Sequence, residues 1–288
     1  MTPPSPPREK STPSVGYLGP EGTFCEQPAR RYFGKDVNFI AFQTISEIFK
    51  AVESSNVNWG VAPVENSSEG SVNRTLDLLY RMDVKVSGEI EEPIRHLLIV
   101  KPGTKLSDVK VILSHPQALA QCREFLEHRF PKARIQETSS TASAVKRLRR
   151  LKGAAAIGSA ASAQAYGMRI ALRDIGDTAR NITRFLVIGQ CDSAPTGNDK
   201  TSVVFATENI PGALYQALEP FAEREINLTK IESRPIKAKE WEYIFYMDFE
   251  GHRSEERSLE ALAELESICR FCKVLGSYPR AKRAETPG

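Results

Sequence analysis

Hydrophobic and polar positions along the chain predict strands and helices in alternation. Apolar residues recur with the spacing of one helical face over residues 44–54, and Thr44 with Glu47 forms a capping box at the start of that helix. Short apolar runs at residues 60–64 and 96–100 predict buried strands. Strands that alternate with helices indicate an α/β fold with parallel sheets joined by crossovers.

The middle of the chain repeats this alternation and predicts a second α/β unit. Ser114 and Gln117 are expected to form another capping box, between a strand and a helix. Residues 93–178 form a self-contained lobe in this interpretation, inserted between two pieces of a first lobe at residues 15–92 and 179–192. Two such lobes enclose a cleft, which is a natural binding site for a small molecule.

The pattern changes after the second piece of the first lobe. Residues 193–199 have the composition of a linker, and residues 200–280 predict the order βαββαβ of a ferredoxin-like sandwich. One of its strands alternates, with one face made of Trp241, Tyr243, Phe245, Met247 and Phe249. Residues 1–14, rich in Pro and Ser, predict a disordered tail, and residues 281–288 form a second tail.

Composition narrows the classes of function. The 288 residues are enough for about two domains, and 41% hydrophobic and 26% charged residues are typical of a globular protein. A net charge of +3 argues against nucleic acid as the main partner. No apolar run is long enough to cross a membrane, and the N-terminus lacks the apolar core of a signal peptide, so we expect no membrane partner and a cytoplasmic location.

Neither cysteines nor metal motifs predict a cofactor. The five cysteines are scattered and odd in number, which suggests free thiols, and Cys269 with Cys272 would supply only half of a tetrahedral zinc site. The chain contains no HExxH, no Ca²⁺ loop, no nucleotide-binding glycine pattern and no nucleophile elbow. We therefore expect no metal, no cofactor and no covalent nucleophile.

Polar clusters stand where predicted strands end and helices begin, which is where open α/β sheets bind ligands. They occupy residues 22–24, 65–71, 114–121, 138–141 and 181–185. They carry hydroxyls, amides and one arginine, with few free carboxylates, and this chemistry suits a small anion held by neutral donors and one guanidinium. Taken singly, each Ser or Thr is equally well explained as a helix cap, and Arg184 as a surface residue.

Several of these segments, in order along the chain, closely resemble the prephenate dehydratase family. They are GYLGPEGTF, GVAPVENSSEGSVNRTLDLL, SHPQALAQC and NITRFLVIG, while ENIPGAL and ESRP resemble the ACT regulatory domain that is fused to that enzyme. The resemblance covers about residues 15–280. It implies a catalytic domain at residues 15–192 with the two lobes of a periplasmic binding protein, followed by an ACT domain. Since no chorismate mutase segment precedes these motifs, the monofunctional form is expected.

The resemblance also implies an activity and its residues. Prephenate would lose carbon dioxide and its ring hydroxyl to give phenylpyruvate, on the path to phenylalanine, without a cofactor. Thr183 matches the threonine most closely tied to catalysis, Arg184 the arginine expected to grip a substrate carboxylate, and Phe185 completes the family's TRF motif. The other cleft positions that the resemblance implies are Asn66, Ser67, Ser114, Gln121, Glu65 and Thr23.

The ACT resemblance implies a pocket for phenylalanine between two subunits. The turn would be formed by Asn209, Pro211, Gly212, Ala213 and Leu214, and the facing strand by Glu232, Ser233, Arg234 and Pro235. Phenylalanine would then be an effector that inhibits the enzyme allosterically. The resemblance implies a homo-oligomer, at least a dimer through its ACT domains and a tetramer by resemblance. Without the family, the same residues would be an ordinary turn and strand end.

Two departures and two alternatives stay open. Cys25 replaces the hydroxyl residue usual after GTF, and Pro28 suggests a shifted helix start. The substrate could instead be arogenate, which carries an amino group where prephenate has a keto group. A non-catalytic amino-acid sensor is the alternative from another class, and the TRF triplet argues against it because a receptor has no need of that triplet.

Overall fold

The structure is a computed structural model that describes residues 12–178, 180–235 and 243–281. Most of the two predicted tails, and Trp241 of the predicted alternating strand, lie outside the described residues. The described residues form three sheets of six, five and four strands. None of the helices in these ranges has the length and apolar character needed to cross a membrane.

The first sheet builds lobe 1, with strand order β2-β1-β3-β11-β5 and β4 paired with β3. Its strands are β1 (Ser14–Leu18), β2 (Asn38–Phe42), β3 (Trp59–Asn66), β4 (Gly70–Ser71), β5 (Lys85–Pro93) and β11 (Ile182–Gly189). Its helices are α1 (Glu26–Phe33), α2 (Ile45–Glu53) and α3 (Asn73–Arg81). The predicted cap of α2 is confirmed, because the Thr44 hydroxyl accepts the Glu47 backbone N–H at 3.2 Å.

The second sheet builds lobe 2, with strand order β10-β6-β9-β7-β8. Its strands are β6 (Leu97–Val100), β7 (Val111–Ser114), β8 (Arg134–Glu137), β9 (Ala154–Gly158) and β10 (Arg169–Leu172). Its helices are α4 (Pro116–Ala120), α5 (Arg123–Arg129), α6 (Thr141–Arg147) and α7 (Ala160–Ala165). Apolar clusters cover both faces of this sheet, and the predicted two-lobed α/β architecture is therefore present.

The expectation of parallel sheets is only partly correct. Strand β11 is antiparallel to both β3 and β5, and β6 is antiparallel to β9 and β10. The chain leaves lobe 1 from β5 into β6 and returns after β10, so β11 enters the first sheet from the edge that faces lobe 2. Its direction is consequently opposite to that of its neighbours.

The predicted capping box at Ser114 is wrong. The Ser114 hydroxyl is fully buried at the end of β7 and donates to the Ile157 carbonyl at 2.8 Å. Helix α4 is capped instead by His115, whose Nδ1 accepts the Gln117 N–H at 3.3 Å. The cap lies one residue later because Ser114 is used to join two strands of the sheet.

The third sheet has the strand order β13-β14-β12-β15, all antiparallel, and forms the predicted ferredoxin-like βαββαβ sandwich. Its elements are β12 (Asp199–Ala206), α8 (Ala213–Glu223), β13 (Leu228–Pro235), β14 (Tyr243–Glu250), α9 (Glu256–Ile268) and β15 (Phe271–Pro279). Helices α8 and α9 cover one face, over a core that includes Phe205, Phe221 and Phe249.

The other face of this sheet packs against lobe 1. Ile244 and Tyr246 belong to the same buried cluster as Leu76 of α3, whose carbonyl accepts the Tyr246 hydroxyl at 2.8 Å. At Gly276 of β15 the two backbones approach so closely that a Cβ would lie 2.1 Å from the Val86 carbonyl oxygen. The predicted alternation of β14 therefore describes one face of a strand that is buried on both.

Candidate active site

A cleft of about 780 Å³ lies between the two lobes. Its lining includes Ser67 and Asn181 from lobe 1, together with His96 and Gln121 from lobe 2. Ser67 follows β3, His96 and Asn181 lie in the segments that connect the lobes, and Gln121 ends helix α4. Side chains from both lobes can therefore reach one ligand.

The loop after β1 touches lobe 2. The Ser159 hydroxyl donates to the Gly22 carbonyl at 2.7 Å, and the Tyr166 hydroxyl donates to the Glu21 carbonyl at 2.9 Å. Gly22 has a φ of +85°, and a Cβ there would lie 2.8 Å from Ser162 Cα, so only glycine fits this contact. The loop therefore joins the two lobes through its backbone.

Asn66 at the end of β3 fixes the direction of the hydrogen bonds in the site. Its Oδ1 accepts the backbone N–H groups of Ser68 at 3.0 Å and Glu69 at 3.1 Å. Its Nδ2 must then face the other way, and it donates to Asn181 Oδ1 at 2.7 Å and to Thr183 Oγ1 at 2.9 Å. Since the Thr183 oxygen accepts here, the Thr183 hydroxyl is left to donate its own proton elsewhere.

The same reasoning extends across the cleft to lobe 2. Asn181 Oδ1 is an acceptor, so its Nδ2 donates to Gln121 Oε1 at 2.9 Å. Gln121 Oε1 therefore also accepts from His96 Nε2, at 2.7 Å. One chain of hydrogen bonds, with its direction set by two backbone N–H groups, joins Thr183 to His96.

His96 is consequently held in one tautomer, with its proton on Nε2. The residue is 4% exposed, and its Nδ1 has no hydrogen-bond partner within the described residues. Burial lowers the pKa of His96, against smaller opposing effects of the Gln121 hydrogen bond and the Asp177 charge. The imidazole is therefore biased toward its neutral form, with a bare acceptor nitrogen beside the cleft.

The TRF triplet is divided among three environments, which corrects the predicted role of Arg184. Successive side chains of a strand point to opposite faces, so Thr183 faces Asn66 while Arg184 faces the ACT sheet. The Arg184 guanidinium donates to the Glu89 carboxylate at 2.8 Å and the Asp248 carboxylate at 2.6 Å. It is already neutralised and is not placed to grip a substrate carboxylate. Phe185, 1% exposed, lies in the core of lobe 1.

Three more of the predicted cleft residues use their side chains elsewhere. Glu65 accepts Lys230 of the ACT domain at 3.0 Å, because it alternates with Asn66 along β3. The hydroxyl of Thr23 donates to the Leu18 carbonyl at 2.8 Å, and Ser114 is buried as described above. Ser67 does line the cleft, where its hydroxyl accepts the Ile182 N–H at 3.0 Å. Of the nine predicted residues, Ser67 and Gln121 thus line the cleft, and hydrogen bonds through Asn181 connect Asn66 and Thr183 to them, while the other five lie outside.

The cleft residues that sequence reasoning missed include His96, Arg95 and Arg180, whereas Asn181 belongs to the predicted cluster at residues 181–185. Arg95 and Arg180 are two exposed guanidinium groups on the segments that connect the lobes. Arg95 lies 3.7 Å from Asp174 in a loose ion pair, and its side chain is 49% exposed. The signal was present in the sequence, because these three residues stand close to the predicted boundaries between the lobes. The described residues hold no group of His, Cys, Asp and Glu arranged to bind a metal ion.

The predicted phenylalanine residues also divide by face. Gly212, with a φ of +85°, precedes helix α8 in an exposed turn with Asn209 and Pro211, while Ala213 is buried and Leu214 half-buried. On β13, Ser233 and Pro235 are exposed.

The remaining two side chains of the ESRP segment contact lobe 1. Glu232 accepts from the Ser71 hydroxyl and from Lys230, the latter at 3.1 Å. Arg234 pairs with Asp77 at 3.3 Å. Within one chain, Glu232 and Arg234 are thus occupied by the catalytic domain or by their own strand.

Comparison with known proteins identifies the family of this architecture. The family model for prephenate dehydratase matches residues 15–193, and that for the ACT domain matches residues 201–267. The bifunctional chorismate mutase/prephenate dehydratase of Aquifex aeolicus is 46% identical over 267 residues, which are 93% of this chain and 74% of the relative. The Arabidopsis thaliana protein named arogenate dehydratase/prephenate dehydratase 2 is 39% identical, over 92% of this chain and 72% of its own length.

A solved structure supports the same assignment. The prephenate dehydratase from Arthrobacter aurescens, in complex with L-Phe, is 35% identical in sequence and superimposes with a TM-score of 0.86. The match covers 96% of this chain and 92% of that chain, so both the two-lobed part and the ACT part are included.

Proposed function

The chain belongs to the prephenate dehydratase family, and we propose that it converts prephenate to phenylpyruvate by decarboxylation and dehydration. The observation that carries this function is the Thr183 hydroxyl. Asn66 donates to its oxygen at 2.9 Å, and its proton is thereby made available at the lobe interface.

The reaction needs a hydrogen-bond donor at the leaving oxygen. The bond from the ring to the carboxylate carbon breaks, carbon dioxide leaves, and its electron pair enters the ring as the C–O bond to the hydroxyl breaks. The departing hydroxide takes up a proton and leaves as water, while the ring becomes aromatic. A threonine hydroxyl is too weak an acid to give up its proton outright, so Thr183 acts by stabilising the developing charge on the leaving oxygen.

Asn66 strengthens this donor. A hydroxyl that accepts one hydrogen bond is polarised and donates the next more strongly, particularly where little water competes. Asn66 and Thr183 are 7% and 9% exposed, so the pair is largely shielded from solvent. The chain through Asn181 and Gln121 holds both groups in place before the substrate binds.

In this proposal, Arg95 and Arg180 rather than Arg184 neutralise the negative charge of the substrate. Prephenate is a dianion, and the cleft offers the exposed guanidinium groups of Arg95 and Arg180. Planar guanidinium groups bind carboxylates at two points, which suits this role. Ser67 and the neutral amide of Gln121 add uncharged polar groups to the proposed site.

The decisive experiment compares two variants of Thr183. Thr183→Ser keeps the hydroxyl and Thr183→Val keeps the shape, so the pair separates chemistry from packing. We expect Thr183→Val to lower kcat by about 10²–10³-fold with substrate binding retained, and Thr183→Ser to keep kcat within about tenfold of the unchanged protein. Formation of phenylpyruvate and the substrate Kd measure the two effects. Equal rates for Thr183→Val and the unchanged protein would remove Thr183 from the reaction.

The same assay run with arogenate tests the second candidate substrate. The relative from Arabidopsis thaliana that carries both names motivates this comparison. Turnover of arogenate at a higher kcat/KM than prephenate would reassign the substrate without changing the chemistry at the ring. Binding of both without turnover would favour the non-catalytic sensor.

We extend the proposal to regulation by phenylalanine, supported by the ACT domain and by the relative that was crystallised with L-Phe. The exposed turn around Gly212 and the exposed Ser233 and Pro235 support a pocket shared by two ACT domains. The dimer, the tetramer and the cytoplasmic location stay predictions, as do the division into residues 15–192 and 200–280 and the linker at 193–199.

A further inference from the structure

A buried cluster of charges lies between lobe 1 and the ACT sheet, away from the cleft. Its charged members are Glu89 of β5, Arg184 of β11, Lys200 of β12 and Asp248 of β14. Their side chains are only 1%, 12%, 11% and 8% exposed, respectively. We call these four residues the interdomain cluster. Two cations and two carboxylates balance, so the removal of one charge leaves another buried without its partner.

Arg184 is the centre of the interdomain cluster. Its Nε donates to Glu89 of the catalytic domain at 2.8 Å, and its Nη1 donates to Asp248 of the ACT domain at 2.6 Å. Its Nη2 donates to the hydroxyl of Tyr278, on a further ACT strand, at 2.9 Å. All three nitrogens of the guanidinium are therefore held, by groups from both domains.

The ACT side of the contact is itself rigidly connected. Ser202 of β12 donates to Asp248 of β14 at 2.5 Å and shares a 2.6 Å hydrogen bond with the Tyr278 hydroxyl of β15. Lys200 reaches the Glu89 carboxylate at 3.0 Å. Strands β14 and β15 thus contact one guanidinium of the catalytic domain directly, and β12 supports both contacts through Ser202.

Electrostatics keeps this contact charged. Burial by itself would lower the pKa of Arg184, but Asp248, Tyr278 and Glu89 raise it well above its ordinary value. Burial would likewise raise the pKa of Asp248, but the Arg184 charge and the Ser202 hydrogen bond hold it below its ordinary value. The pair therefore stays ionised at neutral pH. If an ACT strand is displaced, it must either carry Arg184 with it or leave a buried charge without its partner.

We propose that Arg184 is a positioning residue that transmits the position of the ACT sheet to Thr183, on the premise of the proposed function. Thr183 precedes Arg184 in β11, and the two pair across the sheet with Asn66 and Glu65 of β3, respectively. A shift of the Arg184 backbone moves Thr183 relative to Asn66. The 2.9 Å hydrogen bond from Asn66 to Thr183 orients the Thr183 hydroxyl, so this shift would change the direction in which the hydroxyl donates. Phenylalanine, by changing the arrangement of the ACT domains, would act on turnover through this guanidinium.

The interdomain cluster is therefore expected to affect two quantities. A contact that sets the position of Thr183 should change turnover, and a contact that carries the effect of phenylalanine should also change the phenylalanine response. A purely structural contact would change stability alone. A residue that gripped the substrate would change KM first.

Tyr278→Phe and Asp248→Asn test the proposal in the full chain. Both keep the shape of the side chain, and the first removes a single hydroxyl. We expect each to shift the phenylalanine concentration for half-inhibition by at least about fivefold and to lower kcat, with KM within about twofold. Arg224→Lys is the matched control, because Arg224 pairs with Glu260 and Glu264 inside the ACT domain.

Three results would overturn the proposal or its premise, and they differ from one another. Folded Tyr278→Phe with an unchanged kcat and an unchanged phenylalanine response overturns the role of Arg184 even if Asp248→Asn does not fold. A rise in KM at constant kcat overturns it in favour of direct contact with the substrate. Absence of turnover by the unchanged protein, seen before any variant is compared, overturns the proposed function itself.

Discussion

The Thr183 oxygen accepts a hydrogen bond from Asn66, and its hydroxyl proton is therefore left for another acceptor. Asn66 presents its amide nitrogen to Thr183, and this orientation follows from the two backbone N–H groups that hold the Asn66 oxygen. The direction in which the Thr183 hydroxyl donates thus depends on the turn that follows β3. Replacing the amide nitrogen of residue 66 by an oxygen tests this dependence.

Asn66→Asp should reverse the hydrogen bond at Thr183. A carboxylate keeps the two backbone N–H groups but cannot donate, so the Thr183 hydroxyl would turn toward residue 66 and away from the leaving oxygen. We expect kcat to fall by about 10²–10³-fold while the protein stays folded. Steady-state rates and thermal unfolding measure this, and Asn38→Asp, at an exposed position of β2, is the control. A kcat within a factor of two of that control would contradict the assigned direction of the bond.

At the scale of elements, the contact of β15 with β5 depends on one glycine. A Cβ at Gly276 would lie 2.1 Å from the Val86 carbonyl oxygen and 2.8 Å from its nitrogen, so the two backbones would have to separate. These backbone atoms cannot rotate away as a flexible side chain can.

Gly276→Ala should therefore loosen the ACT domain from lobe 1. We expect a lower free energy of unfolding by about 1–3 kcal/mol, because the substitution overpacks a buried contact and weakens the packing around it. Gly197→Ala is the matched control, since Gly197 has a φ of +82° but an added Cβ would have no atom within 4 Å. Chemical unfolding measures both. Equal losses for the two variants would show that backbone strain, rather than the contact, is responsible.

The sequence predicted most elements of the fold but not how their faces are used. Periodicity located α2, the lobes and the βαββαβ order, because each depends on residues close in the chain. It could not show that Tyr246 and Ile244 meet lobe 1, or that Ser114 joins β7 to Ile157, because those contacts join distant segments. The family resemblance pointed to Thr183, Asn66 and Gln121, while the side of the strand occupied by Arg184 depended on pairing with β3 and β5.

At the scale of the whole molecule, the interdomain cluster makes the free energy of unfolding depend on pH in the acidic range. The pKa of Asp248 lies below its ordinary 3.8, so the folded state binds its proton less readily than the unfolded chain. The contribution of Asp248 to stability is fully present above that ordinary value and is lost as the pH falls through the folded pKa. Arg184, Lys200 and Tyr278 face this carboxylate from both domains, and Glu89 lies on the other side of Arg184.

The difference in Tm between the unchanged protein and Asp248→Asn should therefore be constant from about pH 5 to 7 and should shrink below pH 3.8. Below that range the protonated carboxyl resembles the amide. Scanning calorimetry against pH measures this, with Asp36→Asn, at an exposed position, as the control. A Tm difference that grew on acidification would mean that the proton is bound more tightly in the folded state.

The division of the TRF triplet has a consequence for the phenotypes of mutations in these three codons. Thr183, Arg184 and Phe185 are adjacent in sequence but lie beside the cleft, against the ACT sheet and in the core of lobe 1, respectively. Three neighbouring codons should thus yield three separable phenotypes in a strain that depends on this enzyme. Strains with mild alleles of codon 183 should require added phenylalanine at every temperature. Alleles of codon 184 should alter resistance to a phenylalanine analogue, and alleles of codon 185 should make growth without phenylalanine temperature-sensitive.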